Sequence, residues 1–187
     1  PPITDAYGNL DITYNPGAAS GYFLFISYRS ELYAKVWRHH IHGIWDYSEG
    51  FLLYGENNYT AISAFQDTVA TVIEFPHSTG NAIYAYVNTN AGTDLEWSTE
   101  AVYYPLTSSS PEAAGPDVSL RSPSGSILTY QLEEGTFDGV YYQPREGHGL
   151  TGTYVGAFSI NEVDSAAQGQ TTAEWLGNNH WDSEGVG

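Results

Sequence analysis

Arg38-His39-His40-Ile41-His42 is the stretch of this chain whose residue types and spacing are best suited to chemistry. In an extended strand, side chains two apart share a face, so His40 and His42 would present both imidazoles to one ligand or metal. Divalent metals favour such imidazole pairs completed by a carboxylate and a further His. Asp46 and Glu49 follow closely enough to supply the acid, as a metal ligand's partner or as a catalytic base. Trp37 and Trp45 flank the cluster and would give a polar site an apolar wall. The same pattern also suits a hydrogen-bonded surface patch with no metal. Both readings stay open on spacing alone.

These residues need a frame, and the surrounding sequence predicts one made of strands. Short aromatic and β-branched runs recur at 10–14, 22–28, 32–42, 51–54, 59–65, 69–75, 82–87 and 97–104, divided by turn residues such as Asn15-Pro16-Gly17 and Gly55. That spacing predicts an all-β chain, an antiparallel barrel or sandwich with few or no helices. Residues 1–105 read as one β-domain. Residues 106–125, rich in Ser, Pro, Ala and Gly, read as a linker or surface arm. Strand patterns resume at 126–132, 139–143 and 152–160, and residues 126–187 are expected to pack on the same domain. Residues 164–176 are the one helix candidate, with Asp164 as cap and Gly177 as stop. The polar tail 178–187 reads as loose. No internal repeat is visible, which argues against propellers and trefoils.

Composition narrows the partners. Five Lys and Arg stand against 22 Asp and Glu, a formal net charge of −17. Nucleic-acid binding depends on cations that neutralise phosphates, so DNA and RNA are not expected, and anionic membranes are disfavoured by the same sign. No stretch is long and apolar enough to span a bilayer as a helix. Cysteine is absent, which excludes disulfides and thiolate metal sites. The start Pro1-Pro2-Ile3 and the sequon Asn58-Tyr59-Thr60 suggest a processed, secreted and glycosylated protein acting outside the cell.

His40-Ile41-His42, an acidic residue a few places on, and Gly50-Phe51-Leu52-Leu53-Tyr54-Gly55 together resemble the first motif of the cupins. The run from Val72 through Pro76 and His77 to Asn81-Ala82, closed by Asn88-Thr89-Asn90, resembles their second motif. Within that superfamily the fungal flavonol-cleaving quercetinases look similar, through Pro16-Gly17-Ala18-Ala19-Ser20-Gly21-Tyr22 and the Ser-rich run ending Gly115-Pro116-Asp117. The resemblance implies a jelly roll holding one divalent transition metal (Cu, Fe, Mn or Zn) on His40, His42 and a third His. Where the cupin pattern has that third His this chain has Asn81, so His77 is the available substitute; otherwise no metal is held. An aromatic lining of Trp37, Trp45, Tyr84 and Tyr86 would then receive a flat substrate, and the activity implied is that of a metal-dependent oxygenase.

The second class of function is a carbohydrate-binding lectin or module without catalysis. Trp97, Trp175, Trp181, Tyr103-Tyr104 and Tyr141-Tyr142 are its candidate stacking platforms, with Asp, Asn and Glu as acceptors for sugar hydroxyls. A Ser-His-Asp or Cys-His mechanism has no motif here.

Overall fold

A computed structural model describes residues 10–15, 21, 23–30, 33–40, 45–48, 59–91, 96–103, 105–107, 110, 112–122, 125–133, 139–146, 153–154, 158–159, 170–175 and 181–186. Side-chain burial is described for those up to 132, apart from 40, 45–48, 100 and 121–122. The described secondary structure is entirely strand and turn, with antiparallel pairing throughout. The all-β expectation holds, as a stack of open sheets and not as a closed barrel.

Sheet A joins β1 (Leu10–Tyr14), β2 (Phe23–Arg29), β3 (Ala34–His40) and β4 (Trp45–Ser48) in sequence order. Sheet B joins β5 (Tyr59–Phe65), β6 (Thr68–His77), β7 (Gly80–Asn88) and β8 (Ser98–Tyr103) in the same way. Sheet C runs through β9 (Glu112–Ser122), β10 (Gly125–Glu133) and β11 (Gly139–Glu146), with the short β12 (Thr153–Tyr154) and β13 (Phe158–Ser159) both paired to β11. β14 (Gln170–Trp175) and β15 (Trp181–Val186) form a separate ladder, and β14 lies beside β9 and β10. Sheets A and B and the β9–β12 run of sheet C are thus meanders of neighbouring hairpins, with β13 returning to pair with β11.

Sheet B is the middle layer. On one of its faces Ile62, Val69, Ile73 and Tyr86 pack against Phe23, Phe25, Ala34 and Val36 of sheet A. On the other, Ala61, Ala70, Val72, Ala85 and Val87 pack against Val118, Leu120 and Leu128 of sheet C. A strand covered on both sides has no polar face to show, so its sequence reads as a continuous apolar run. β6 does so: every residue from Thr68 to Glu74 is buried. β1, at the edge of sheet A, alternates instead, with Leu10, Ile12 and Tyr14 exposed.

The open edge of β5 is closed by side chains. Asp11 Oδ2 accepts the Ile62 amide at 2.7 Å, and Thr13 Oγ1 accepts the Ala64 amide at 3.2 Å. On the sheet C side, Ser63 Oγ accepts the Leu120 amide at 3.0 Å. These bonds satisfy backbone groups that would otherwise form a bare strand edge.

Three expectations are corrected. Residues 112–122, inside the stretch read as a linker or arm, form β9, because Ala113, Val118 and Leu120 carry an apolar face into the B–C core. Gly115 and Pro116 bulge opposite Tyr130, with Gly115 at φ +53°, so the residues that suggested a loose arm serve a kink in a strand. The helix candidate is a strand over 170–175, where cross-strand pairing of Gln-Thr-Thr-Ala-Glu-Trp with β15 outweighs a weak helical pattern. That same pairing orders 181–186, within the tail read as loose.

Candidate functional site

β3 carries the first part of the histidine cluster. Ala34 and Val36 point into the A–B core, so alternation turns Arg38 inward and Trp37 and His39 outward. The Arg38 guanidinium sits 5.3 Å from the centre of the Phe23 ring and donates from Nη1 to the Ala91 carbonyl at 2.6 Å. Trp37 donates from Nε1 to the buried Tyr28 hydroxyl at 2.7 Å. His40 ends β3 opposite Phe23. Asp46 pairs with Arg38 and Trp45 with His39. The register therefore places Asp46 diagonally across from His40, a spacing of about 7–8 Å between Cα atoms. His42 and Glu49 lie outside the described residues, as do the side chains of His40, Trp45 and Asp46. Among the proposed metal and catalytic residues, the described backbone brings together His40 and Asp46.

It does not bring His77 to them. The Asp11–Ile62 and Thr13–Ala64 bonds set β1 parallel to β5, level for level. Through the β1–β2 and β2–β3 registers, His40 then lies level with the β5–β6 turn. His77 closes β6, nine residues on from Thr68 at that turn. At about 3.3 Å per residue the two histidines sit roughly 30 Å apart along the strands, far beyond a shared ion. His77 has local work: its Nδ1 lies 2.9 Å from Thr79 Oγ1, which donates to the Pro105 carbonyl at 2.7 Å. The Thr79 amide also points at Nδ1, at 3.4 Å, so His77 staples the β6–β7 turn.

The aromatic lining also divides. Tyr86 is buried in the A–B core, where burial pushes its phenol above the ordinary value against the pull of a Thr99 hydrogen bond. Tyr84 packs on the same core and meets Phe75 edge-on, ring centres 5.9 Å apart at 83°. Trp37 is on the far face of sheet A. Tyr84 and Tyr86 therefore do not share a wall with it, and the reason is strand alternation. Asn81 donates to Glu74 Oε1 at 2.9 Å, while Glu74 Oε2 accepts the Gly115 amide at 3.1 Å. This buried carboxylate ties sheet B to the β9 bulge.

A cleft of about 320 Å³ opens at the end of sheet B where β7 leaves for β8. Asn88, Thr89, Asn90, Glu96, Trp97 and Ser98 line it, with Val87 at its base. Asn88 Oδ1 accepts the Asn90 amide at 2.8 Å and folds the chain tightly after β7. Ser98 donates from Oγ to the Val87 carbonyl at 3.1 Å, fixing the start of β8. Trp97 is half-buried, packed against the A–B core. Ala91 anchors the loop twice, donating to the Asp67 carbonyl at 2.9 Å and accepting from Arg38. A partly buried indole wall beside amide, hydroxyl and carboxylate groups suits a ligand with apolar faces and polar edges. Trp97 and the Asn88-Thr89-Asn90 turn are each visible in the sequence, but nothing there joins them, and Glu96 and Ser98 carry no signal of their own. No known protein family matches this chain, and no curated protein matches its sequence.

Proposed function

We propose that this protein is a non-catalytic carbohydrate-binding protein acting outside the cell, holding a sugar unit in the β7–β8 cleft. The observation that carries the reading is Trp97, seated on the core and walling a cleft whose described polar groups are Asn, Thr, Ser and Glu. A pyranose offers C–H faces to an indole and hydroxyls to amides and carboxylates, so such a cleft matches both. The loop is anchored to two layers before any ligand arrives, which lowers the ordering cost of binding.

Titration with neutral oligosaccharides, by calorimetry or by NMR after dialysis against chelator, tests it. A single cleft of this kind is expected to bind with Kd on the order of 0.1–1 mM, about 4–5.5 kcal/mol. Trp97→Ala should weaken binding at least tenfold. Since Trp97 also supports the core, Asn90→Ala, at an exposed turn position, is the companion variant and should weaken binding severalfold with the fold intact. Absence of binding by the folded parent protein, or binding that both variants leave unchanged, would overturn the proposal.

The diagonal placement of His40 and Asp46 favours a second reading, in which the two, with His42, hold one divalent transition metal for oxygenase chemistry on a flat substrate. One equivalent of metal in the purified protein, lost from a His40→Ala/His42→Ala double variant, would put that reading ahead.

A further inference from the structure

Resting on the carbohydrate reading above, we infer that the cleft favours sugars carrying a free amine, such as de-N-acetylated hexosamines, over neutral and acidic ones. Among the described lining residues Glu96 is the charged one, and it is exposed, so its carboxylate can meet a ligand at little desolvation cost. The indole of Trp97 is its chain neighbour and a cleft wall, and an ammonium group gains from a ring face as well as from a carboxylate. Among the described lining residues there is no Lys or Arg to reverse this preference. Arg38, which reaches the same loop, is turned inward, onto the Ala91 carbonyl and the Phe23 ring. The whole-chain field acts in the same sense, with 22 acids to five cations, raising the local concentration of cationic ligands and repelling uronates.

The probes are three tetrasaccharides: the N-acetylglucosamine tetramer, the same tetramer with its amines free, and a galacturonate tetramer. They are titrated into the intact protein in mildly acidic buffer of low salt. The free-amine tetramer should bind about three- to fivefold more tightly than the acetylated one, the range for one exposed ion pair, and the galacturonate most weakly. Glu96→Gln should bring the affinities of the free-amine and acetylated tetramers to within about twofold of each other, and salt of about 0.5 M should do the same in the parent protein. Binding that Trp97→Ala abolishes but that ranks the acetylated or acidic tetramer first would overturn this inference and leave the carbohydrate reading standing. An amine preference that survives in Glu96→Gln would also overturn the assignment. If none of the three, nor any neutral oligosaccharide, binds, the carbohydrate reading falls and takes this inference with it.

Discussion

Val72 and Ile73 are consecutive residues of β6, both fully buried, yet they belong to different cores: Ile73 packs toward sheet A and Val72 toward sheet C. In a two-layer sandwich one of any two such neighbours would face water. Truncation therefore tests the three-layer arrangement directly. Val72→Ala deletes two carbons, about 1.6 kcal/mol of transfer free energy, and the void left behind adds roughly 1 kcal/mol, for a total of about 2–3 kcal/mol. Ile73→Ala deletes three carbons, about 2.4 kcal/mol, and with its cavity should cost about 3–4 kcal/mol. In a chain of this size each kcal/mol lowers the melting temperature by about 2–4 °C, so the shifts should be about 4–12 °C for Val72→Ala and about 6–16 °C for Ile73→Ala.

Urea unfolding followed by tryptophan fluorescence supplies the measurement, with the midpoint moving and the slope constant if only stability changes. The double variant adds a sharper condition. The two side chains share no partners, so their costs should sum to within about 0.5 kcal/mol despite adjacency in sequence. A cost below about 0.5 kcal/mol for either single variant would mean that one face of β6 is solvated, and the layered reasoning would fail.

Asp11 gives a pH-dependent counterpart. Burial raises its pKa above 3.8 in spite of the bonds from the Ile62 and Ile12 amides, so above pH 3.8 the native state holds a proton that the unfolded chain has released. Its contribution to stability is then greatest at low pH and declines as pH rises through the raised value; parent minus Asp11→Asn stability, from urea midpoints across that range, should fall with pH, and a flat or rising difference refutes the sign. Arg38→Lys should cost about 1–2 kcal/mol, because an ammonium cannot both cover the Phe23 ring and reach the Ala91 carbonyl as a planar guanidinium does; a thermal melt checks it, and no change counts against the anchor. His77→Ala should leave any bound transition metal in place, by elemental analysis, since His77 lies at the far end of sheet B from His40; loss of metal would contradict that register.

The strand content was legible because alternation and turn residues are local signals. β1 declares itself by Leu10, Ile12 and Tyr14 on one side and Asp11 and Thr13 on the other. β6 declares the opposite environment through the unbroken Val69-Ala70-Thr71-Val72-Ile73, a pattern that announces two-sided burial. What the sequence could not show is which strand ends share a level. His40 and His77 look like companions in a motif read along the chain, and only the Asp11 and Thr13 bonds to β5 place them at opposite ends. Tyr86 and Trp37 looked equally suited to a pocket, and parity on their strands puts one in a core and the other beyond it. Gly115 and Pro116 read as a loose arm because bulges and loops draw on the same residues.

The position of the cleft follows from the layering. A sheet buried on both faces has no flat surface to offer a ligand, so its recognition chemistry is confined to strand ends and the loops that join them. One end of sheet B is occupied by the His77 turn, stapled through Thr79 to Pro105. At the other end, the Asn88–Ala91 turn is held from three directions: by its own Asn88 side chain, by the Asp67 carbonyl of the β5–β6 turn, and by Arg38 reaching across from sheet A. A loop so held loses little entropy when a ligand binds, and that is the economy a weak, small sugar site requires. It also makes a specific demand. Disturbing Arg38 should reach the ligand through Ala91 while leaving every lining side chain in place. Arg38→Lys should therefore weaken oligosaccharide binding in step with its loss of stability, whereas Ile73→Ala, which acts deeper in the same core, should lower stability further and leave affinity close to that of the parent.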